Sequence, residues 1–300
     1  MATPMVGSGG AGMKPAGVKP GTVFYKMSGS GNDFVMLNGR HVRAEELTPE
    51  AIAALCDRRL GIGADGVGLL EPTTEDGVHF AFRFWNRDGS VGPMCGNGAL
   101  CATRLAVVLE FAQPDVEVRF STPAGIHRGR VVGERSEIFL PDCQAPQPAP
   151  QVRTGPGEER PTLVRPSVPH LVLEVADVEQ IAVADRGPVL RRDPTLGNEG
   201  ANVNWVSPKG DGSWKMRTFE RGVEGETLAC GTGAVACALT LASHTQADSP
   251  VRLWTRSGLP LDVSFSSQGS TVTSIRLCGE GRLVFRGITT SLLTTSIPID

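Results

Sequence analysis

No apolar run in this 300-residue chain approaches the roughly 18 residues that a helical membrane span requires. Basic clusters are missing as well. Lysine and arginine total 29 against 32 acidic residues, and both signs are spread along the chain. Nothing in that pattern resembles the charge footprint of a nucleic-acid-binding surface. The first 21 residues, MATPMVGSGGAGMKPAGVKPG, lack the apolar segment of a secretory signal, and their Gly, Pro and Ala content predicts a disordered tail. With no export signal we expect a cytoplasmic protein whose seven cysteines are thiols. Their odd number and irregular spacing argue against a disulfide framework, and the missing C-x-x-C argues against a structural zinc site.

What the chain does have is a repeat. VGPMCGNGALCATRLA (91–106) and ETLACGTGAVACAL (226–239) each place a cysteine directly before a glycine turn and a helix-like apolar stretch. Cys95 and Cys230 are 135 positions apart, as are Phe84 and Phe219, and Asn86 and Arg221. Val118, Phe120, Thr122 and Gly125 match Val251, Leu253, Thr255 and Gly258 at an offset of 133. The order of elements repeats with them: a strand, the Cys-Gly turn, a buried helix, then strand–turn–strand. A length of 300 residues suits two domains, and 40% apolar content suits a sizeable core. We therefore expect an α/β (α+β) protein made of two pseudo-symmetric domains by internal duplication. Related domains packed about a pseudo-twofold axis would put Cys95 and Cys230 on opposite walls of the cleft between them. Thr48 and Pro49 predict a helix start, with Gly61 closing that helix. The Pro-rich segment 141–161 reads as a linker or long surface loop between the halves.

A cysteine at a helix start sits near roughly half a positive charge and several unpaired N–H groups, and both favour thiolate. In such settings a pKa of about 8.5 can fall to ~3.5–7.5. Gly96, Gly98, Gly231 and Gly233 let the backbone approach a ligand and aim N–H groups at a carboxylate. A thiolate on one face of a carbon acid and a thiol on the other can invert a stereocentre, with the N–H groups stabilising the aci-carboxylate formed as the proton leaves. Two other readings compete: a pair of small buried residues, or a redox pair. Cys56, Cys101 and Cys237 read as core, while Cys143 and Cys278 carry no signal.

Five blocks in order, SGSGNDF (28–34), GIGADG (61–66), NRDGSVGPMCGNGALC (86–101), ANVNW (201–205) and ERGVEGETLACGTGA (220–234), resemble those of the diaminopimelate epimerase family. The resemblance spans roughly residues 22–290. It implies two similar domains, each a mixed sheet wrapped round a central helix, here 22–141 with 282–295, and 142–281. It implies cofactor-independent interconversion of LL- and meso-diaminopimelate, with neither pyridoxal phosphate nor metal, in lysine and cell-wall precursor synthesis. Cys95 and Cys230 match the catalytic cysteines, and His170 and Glu220 match groups that assist them. Gly96, Asn97, Gly231 and Thr232 match the positions that hold the reacting carboxylate. Asn32, Asn86, Asn202, Glu220 and Arg221 match substrate-binding positions, Arg221 offering a guanidinium fork to a distal carboxylate. A small dicarboxylic amino acid is the implied partner, and a homodimer is plausible. Two positions depart from the pattern: Val168 stands where many relatives have an amide, and Gly66 where some have glutamine. These departures leave open a racemase of the same fold for another amino acid, histidine for example. A non-catalytic amino-acid binder would have no need of opposed thiols.

Overall fold

The structure is a computed structural model and describes residues 18–290. The first half contains β1 (Val23–Gly29), β2 (Asn32–Asn38), α1 (Pro49–Cys56), β3 (Gly66–Glu71), β4 (Phe80–Asn86), β5 (Val91–Gly92), α2 (Gly96–Val108), β6 (Val118–Thr122), β7 (Gly125–Val132) and β8 (Arg135–Phe139). Short strands β9 (Cys143–Gln144) and β10 (Gln147–Pro148) follow. The second half contains β11 (Glu159–Val164), β12 (His170–Glu174), α3 (Val183–Arg191), β13 (Asn202–Pro208), β14 (Trp214–Glu220), β15 (Gly225–Thr227), α4 (Gly231–Ser243), β16 (Val251–Trp254), β17 (Pro260–Gln268) and β18 (Thr271–Glu280). The last strand, β19 (Arg282–Ile288), returns to pair with β1.

The pairing pattern shows the duplication directly. In the first half β2–β3 and β4–β6 are parallel and β3–β4 antiparallel. In the second half β12–β13 and β14–β16 are parallel and β13–β14 antiparallel. The α+β class and the repeated mixed sheet are those expected from the sequence. The halves are also joined into one ladder, because β8 pairs antiparallel with β18.

Each sheet curls round its own helix. Leu100, Cys101 and Leu105 of α2 meet Phe80, Phe82 and Phe120, and Val235, Cys237 and Leu241 of α4 meet Val206, Leu253 and Val263, within one continuous buried cluster. Ile138 of β8 and Leu277 of β18, opposite one another, join the two sides of that cluster. Both helices carry apolar residues almost all round, as suits an element surrounded by sheet.

Three expectations are corrected. Val18 is buried beside Phe24 and Leu47, and Gly21 N–H donates to Thr289 O at 2.7 Å, so residues 18–21 are tied to the fold, although Lys19, Pro20 and Gly21 are exposed. The remainder of that tail, 1–17, and positions 291–295 lie outside the described residues. Helix α1 starts at Pro49 with Thr48 Oγ1 accepting from Ala51 N–H, but it ends at Cys56 and not at Gly61. The reason is Asp57, whose Oδ1 accepts from Arg59 and Leu60 N–H and turns the chain early. Segment 141–161 is the long surface loop of the two readings and not a free linker: most of it is exposed, but Cys143, Ala149 and Val152 are buried, and Glu158 bonds Arg186 and Trp205 Nε1.

Candidate active site

Both candidate thiols stand at helix starts. Cys95 caps α2 with φ −131° and ψ 117°, and Cys230 caps α4 with φ −129° and ψ 111°. The repeated Cys-Gly-x-Gly sequence makes the same turn twice. The two helix starts abut at the glycines that follow each cysteine, and Leu277 crowds the second of them. A Cβ on Gly96 would lie 3.9 Å from Gly231 Cα, and one on Gly231 would lie 2.7 Å from Leu277 Cδ2. Two sets of helix N–H donors and two positive dipole ends thus converge between the halves.

On the first-half side, Asn32 Nδ2 donates to Asp65 Oδ2 at 3.0 Å, which leaves Asn32 Oδ1 to accept from Asn97 Nδ2 at 2.8 Å. Asn97 Nδ2 also donates to the carbonyl of Ala229, next to Cys230, at 3.2 Å. Carboxylates and carbonyls only accept, so the orientation of both amides follows. Asn97 Oδ1 is left buried with no hydrogen-bond partner among the described residues, and it faces Gly231. Arg58 fixes this corner through Asp65 Oδ1 at 2.8 Å and Asp33 Oδ1 at 2.6 Å. The turn before Asn32 is docked on the other half: Ser257 Oγ donates to Ser30 O at 2.8 Å. Gly31 there has φ 108°, and a Cβ on it would lie 2.2 Å from Ser257 Cβ, so only glycine fits.

On the second-half side, strand alternation gathers polar residues on one face. His170 lies opposite Asn202, Asn204 lies opposite Thr218, and Glu220 is two residues beyond Thr218. Asn204 Oδ1 accepts from Thr218 Oγ1 at 2.9 Å, while its Nδ2 donates to Leu171 O at 3.2 Å and to His170 Nδ1 at 3.1 Å. The closer amide contact, Asn204 Nδ2 at 3.1 Å, makes Nδ1 of His170 the accepting nitrogen and places the proton on Nε2, whose longer 3.4 Å approach to Asn202 Nδ2 is then not a hydrogen bond. Nε2 donates to Thr232 Oγ1 at 3.0 Å, and that hydroxyl lies 3.7 Å from Cys230 Sγ, free to donate to it. Asn202 Oδ1 accepts from the backbone N–H of Arg221 at 2.8 Å, which ties Arg221 to the same face.

Ionisation in this site departs from the expectation of acidic thiols. Burial pushes Cys95 up to about 11, against the opposing N–H of Gly98, whose nitrogen lies 3.4 Å from Sγ, and the Glu220 charge adds to the rise. Cys230 is pushed up too, again by burial first and Glu220 second. Helix-start donors are present as expected, but loss of water around the sulfur outweighs them. Burial likewise raises Glu220, and it holds His170 neutral at about 3, with the Arg221 charge adding to that effect. In the free protein both thiols are thus protonated at neutral pH. Iodoacetamide alkylation of Cys95 should accelerate about tenfold per pH unit from pH 7 to 10, following the small but growing thiolate fraction. A rate plateau reached by pH 8, followed by mass mapping of Cys95, would contradict this.

The remaining candidates are placed as follows. Asn86 is exposed, bonds Ser90 Oγ at 2.9 Å inside its own turn, and lies opposite Gly66, the neighbour of Asp65, in the β3–β4 pairing. Val168 is half-buried on the turn before His170 and offers no side-chain donor. Gly66 admits no side chain, since a Cβ would lie 2.6 Å from Trp85 O and 2.7 Å from Phe84 Cζ. Among the described residues no group of three or more His, Cys, Asp or Glu is gathered as metal ligands would be, and no helix is long and apolar enough to cross a membrane. Sequence reasoning missed Asn204, Thr218, Asp65 and Arg58. The i, i+2 spacing of Asn202 and Asn204 in ANVNW was the available signal, because it puts two amides on one strand face.

Comparison with known proteins adds to this geometry. A family model described as diaminopimelate epimerase matches residues 24–139 and 162–293. The chain is 42% identical over 275 residues to a diaminopimelate epimerase of Gemmatimonas aurantiaca, covering 88% of this chain and 98% of that one. It is 36% identical over 273 residues to that of Aquifex aeolicus, covering 88% and 96%. Among solved structures it resembles a hydroxyproline epimerase from Agrobacterium vitis, with TM-score 0.66 and 15% identity over 90% of this chain and 91% of that one. A phenazine-biosynthesis protein of the PhzF family from Bacillus anthracis shares the fold at TM-score 0.67 and 12% identity, over 91% of this chain and 100% of that one.

Proposed function

The chain belongs to the diaminopimelate epimerase family, and from that premise we propose that it interconverts LL- and meso-2,6-diaminopimelate with Cys95 and Cys230 as opposed acid–base groups. That reaction serves lysine and peptidoglycan-precursor biosynthesis. The observation that carries the reading is the meeting of two cysteine-capped helix starts at Gly96 and Gly231. The N–H groups there receive the reacting carboxylate, and the buried, unpartnered Asn97 Oδ1 accepts from the α-ammonium.

The proton bookkeeping follows from the shifts. The half-buried Cys95 thiol and the buried Cys230 thiol both start protonated. Glu220, itself raised by burial, takes one thiol proton once the cationic α-ammonium arrives to offset the thiolate charge. The thiolate then removes the α-proton, and charge moves into the carboxylate held by both helix starts. The opposite thiol gives its proton to the other face of the carbon, inverting it and becoming the next thiolate. One negative charge is thereby passed between the sulfurs and is never doubled. His170 stays neutral and orients the Thr232 hydroxyl toward Cys230, without taking the proton itself. The mechanism needs both thiols free, which supports a reducing compartment such as the cytoplasm.

Asn204 is predicted to set the His170 tautomer. Asn204→Asp supplies an acceptor to Nδ1, so the imidazole proton should move from Nε2 to Nδ1 in nitrogen NMR. Thr232 then turns its proton away from Cys230, and inversion should slow by about five- to tenfold for the lost hydrogen bond. An unchanged tautomer would contradict the assignment. The function itself is tested by assaying inversion of LL-diaminopimelate, L-histidine and L-glutamate with purified protein and no added cofactor. Inversion of diaminopimelate alone supports the proposal, and inversion only of another amino acid replaces it.

A further inference from the structure

Glu199 holds a carboxylate where the proposed substrate would put one. Its Oε1 accepts from Arg165 Nη2 at 2.6 Å and its Oε2 from Arg221 Nη1 at 3.0 Å. Arg221 is tied by its backbone to Asn202, within one hydrogen bond of the His170 face, and its charge is felt by His170. Arg165 reaches the same point from the chain just after β11, where Val164 lies opposite His170. Two guanidinium groups, one on each oxygen of a single carboxylate, form the arrangement that a free carboxylate would choose.

We propose that Arg165 is a specificity-determining residue that joins Arg221 in clamping the distal carboxylate of the substrate, and that Glu199 occupies this clamp in the free enzyme. The inference rests on the diaminopimelate reading of the site. Three observations favour it beyond the pairing itself. Val168, on the same turn as Arg165, brings no donor, so Arg165 supplies the charged donors of that segment. The Glu199 side chain is 47% exposed and the Arg165 side chain 59%, against 25% for Arg221. Exposed pairs of this kind are weak, so an entering carboxylate displaces Glu199 at little cost. Glu199 can also leave the clamp without movement of its backbone. Gly197 (φ 77°) has open space around it, whereas Gly200 (φ 62°) is packed 2.1 Å, by its would-be Cβ, from Arg191 O. The turn itself is held, by Gly200 N–H donating to Gly197 O at 3.1 Å and by the Glu199 carbonyl accepting from Arg191 Nη1 at 3.3 Å and Arg221 Nη1 at 3.4 Å, so release is a rotation of the exposed Glu199 side chain alone.

The test is steady-state kinetics of the full chain with LL-diaminopimelate, alongside α-proton exchange on L-lysine, which lacks only the distal carboxylate. Arg165→Gln should raise KM for diaminopimelate about tenfold, the loss of one charge-assisted contact, with kcat within about twofold. It should leave lysine exchange unchanged. Arg165→Lys, which keeps charge without the fork, should recover part of the loss. Glu199→Gln should lower KM, because the internal competitor is gone. An Arg165→Gln enzyme with unchanged KM overturns the clamp, and so does a Glu199→Gln enzyme whose KM rises as much as that of Arg165→Gln. Wild-type protein that fails to turn over diaminopimelate overturns the clamp together with the function it rests on. Active wild type with an indifferent Arg165 overturns the clamp alone.

Discussion

Replacing either active thiol by alanine is expected to reduce inversion of diaminopimelate by about 10³-fold or more, the scale of a lost general acid or base. The two variants should not be equivalent. Each keeps one sulfur, so each should still exchange the α-proton of the stereoisomer whose hydrogen faces that sulfur, without inverting it. Folding should survive. Cys230 makes no side-chain cap bond to its helix, and Cys95 makes one, from Gly98 N–H. A lost cap of this kind costs about 1 kcal/mol, which moves the thermal midpoint by about 2–4 °C at this size. A Cys95→Ala or Cys230→Ala protein with near-normal turnover in both directions would remove the two-thiol mechanism.

Arg221→Ala is the second large effect. The guanidinium is three-quarters withdrawn from solvent, and its backbone bond to Asn202 is retained in the alanine variant. The loss therefore falls on the distal carboxylate. KM for diaminopimelate should rise by about 10²-fold or more, in the range for removing one partner of a charge pair, while kcat changes little. Exchange on L-lysine should not suffer, so discrimination between the two substrates collapses. Removing the positive charge also relieves one of the two influences that keep His170 neutral, so its pKa should move up, although burial still holds it low. Unchanged discrimination after Arg221→Ala would contradict this role.

The duplication was legible because it is written twice in local chemistry. In this chain a cysteine followed by Gly-x-Gly starts a helix twice, and the turns at 95 and 230 have backbone angles within a few degrees of each other. The end of α1 was not legible from its glycine, because the nearer signal was the Asp57 side chain folding back on two N–H groups. In segment 141–161 proline content concealed four buried anchors, Cys143, Ala149, Val152 and Glu158, in an otherwise mostly exposed stretch, and composition does not show which positions pack. The thiol ionisation lay furthest from the sequence. Helix-start donors are local and readable, but the desolvation that overrides them comes from Phe84, Leu277 and the opposing helix, which only the fold brings together. Asn204 and Thr218 were hidden for the same reason, since a strand pairing had to place them under His170.

The central claim, two bases on opposite faces, is tested most directly by running the epimerisation of LL-diaminopimelate in deuterated water and stopping at low conversion. Two thiols that exchange with solvent predict that each newly formed meso molecule carries one deuterium at its inverted carbon, while unreacted LL substrate stays unlabelled. Meso product that retains the substrate hydrogen at the inverted carbon would mean one group serves both faces, and would contradict the account.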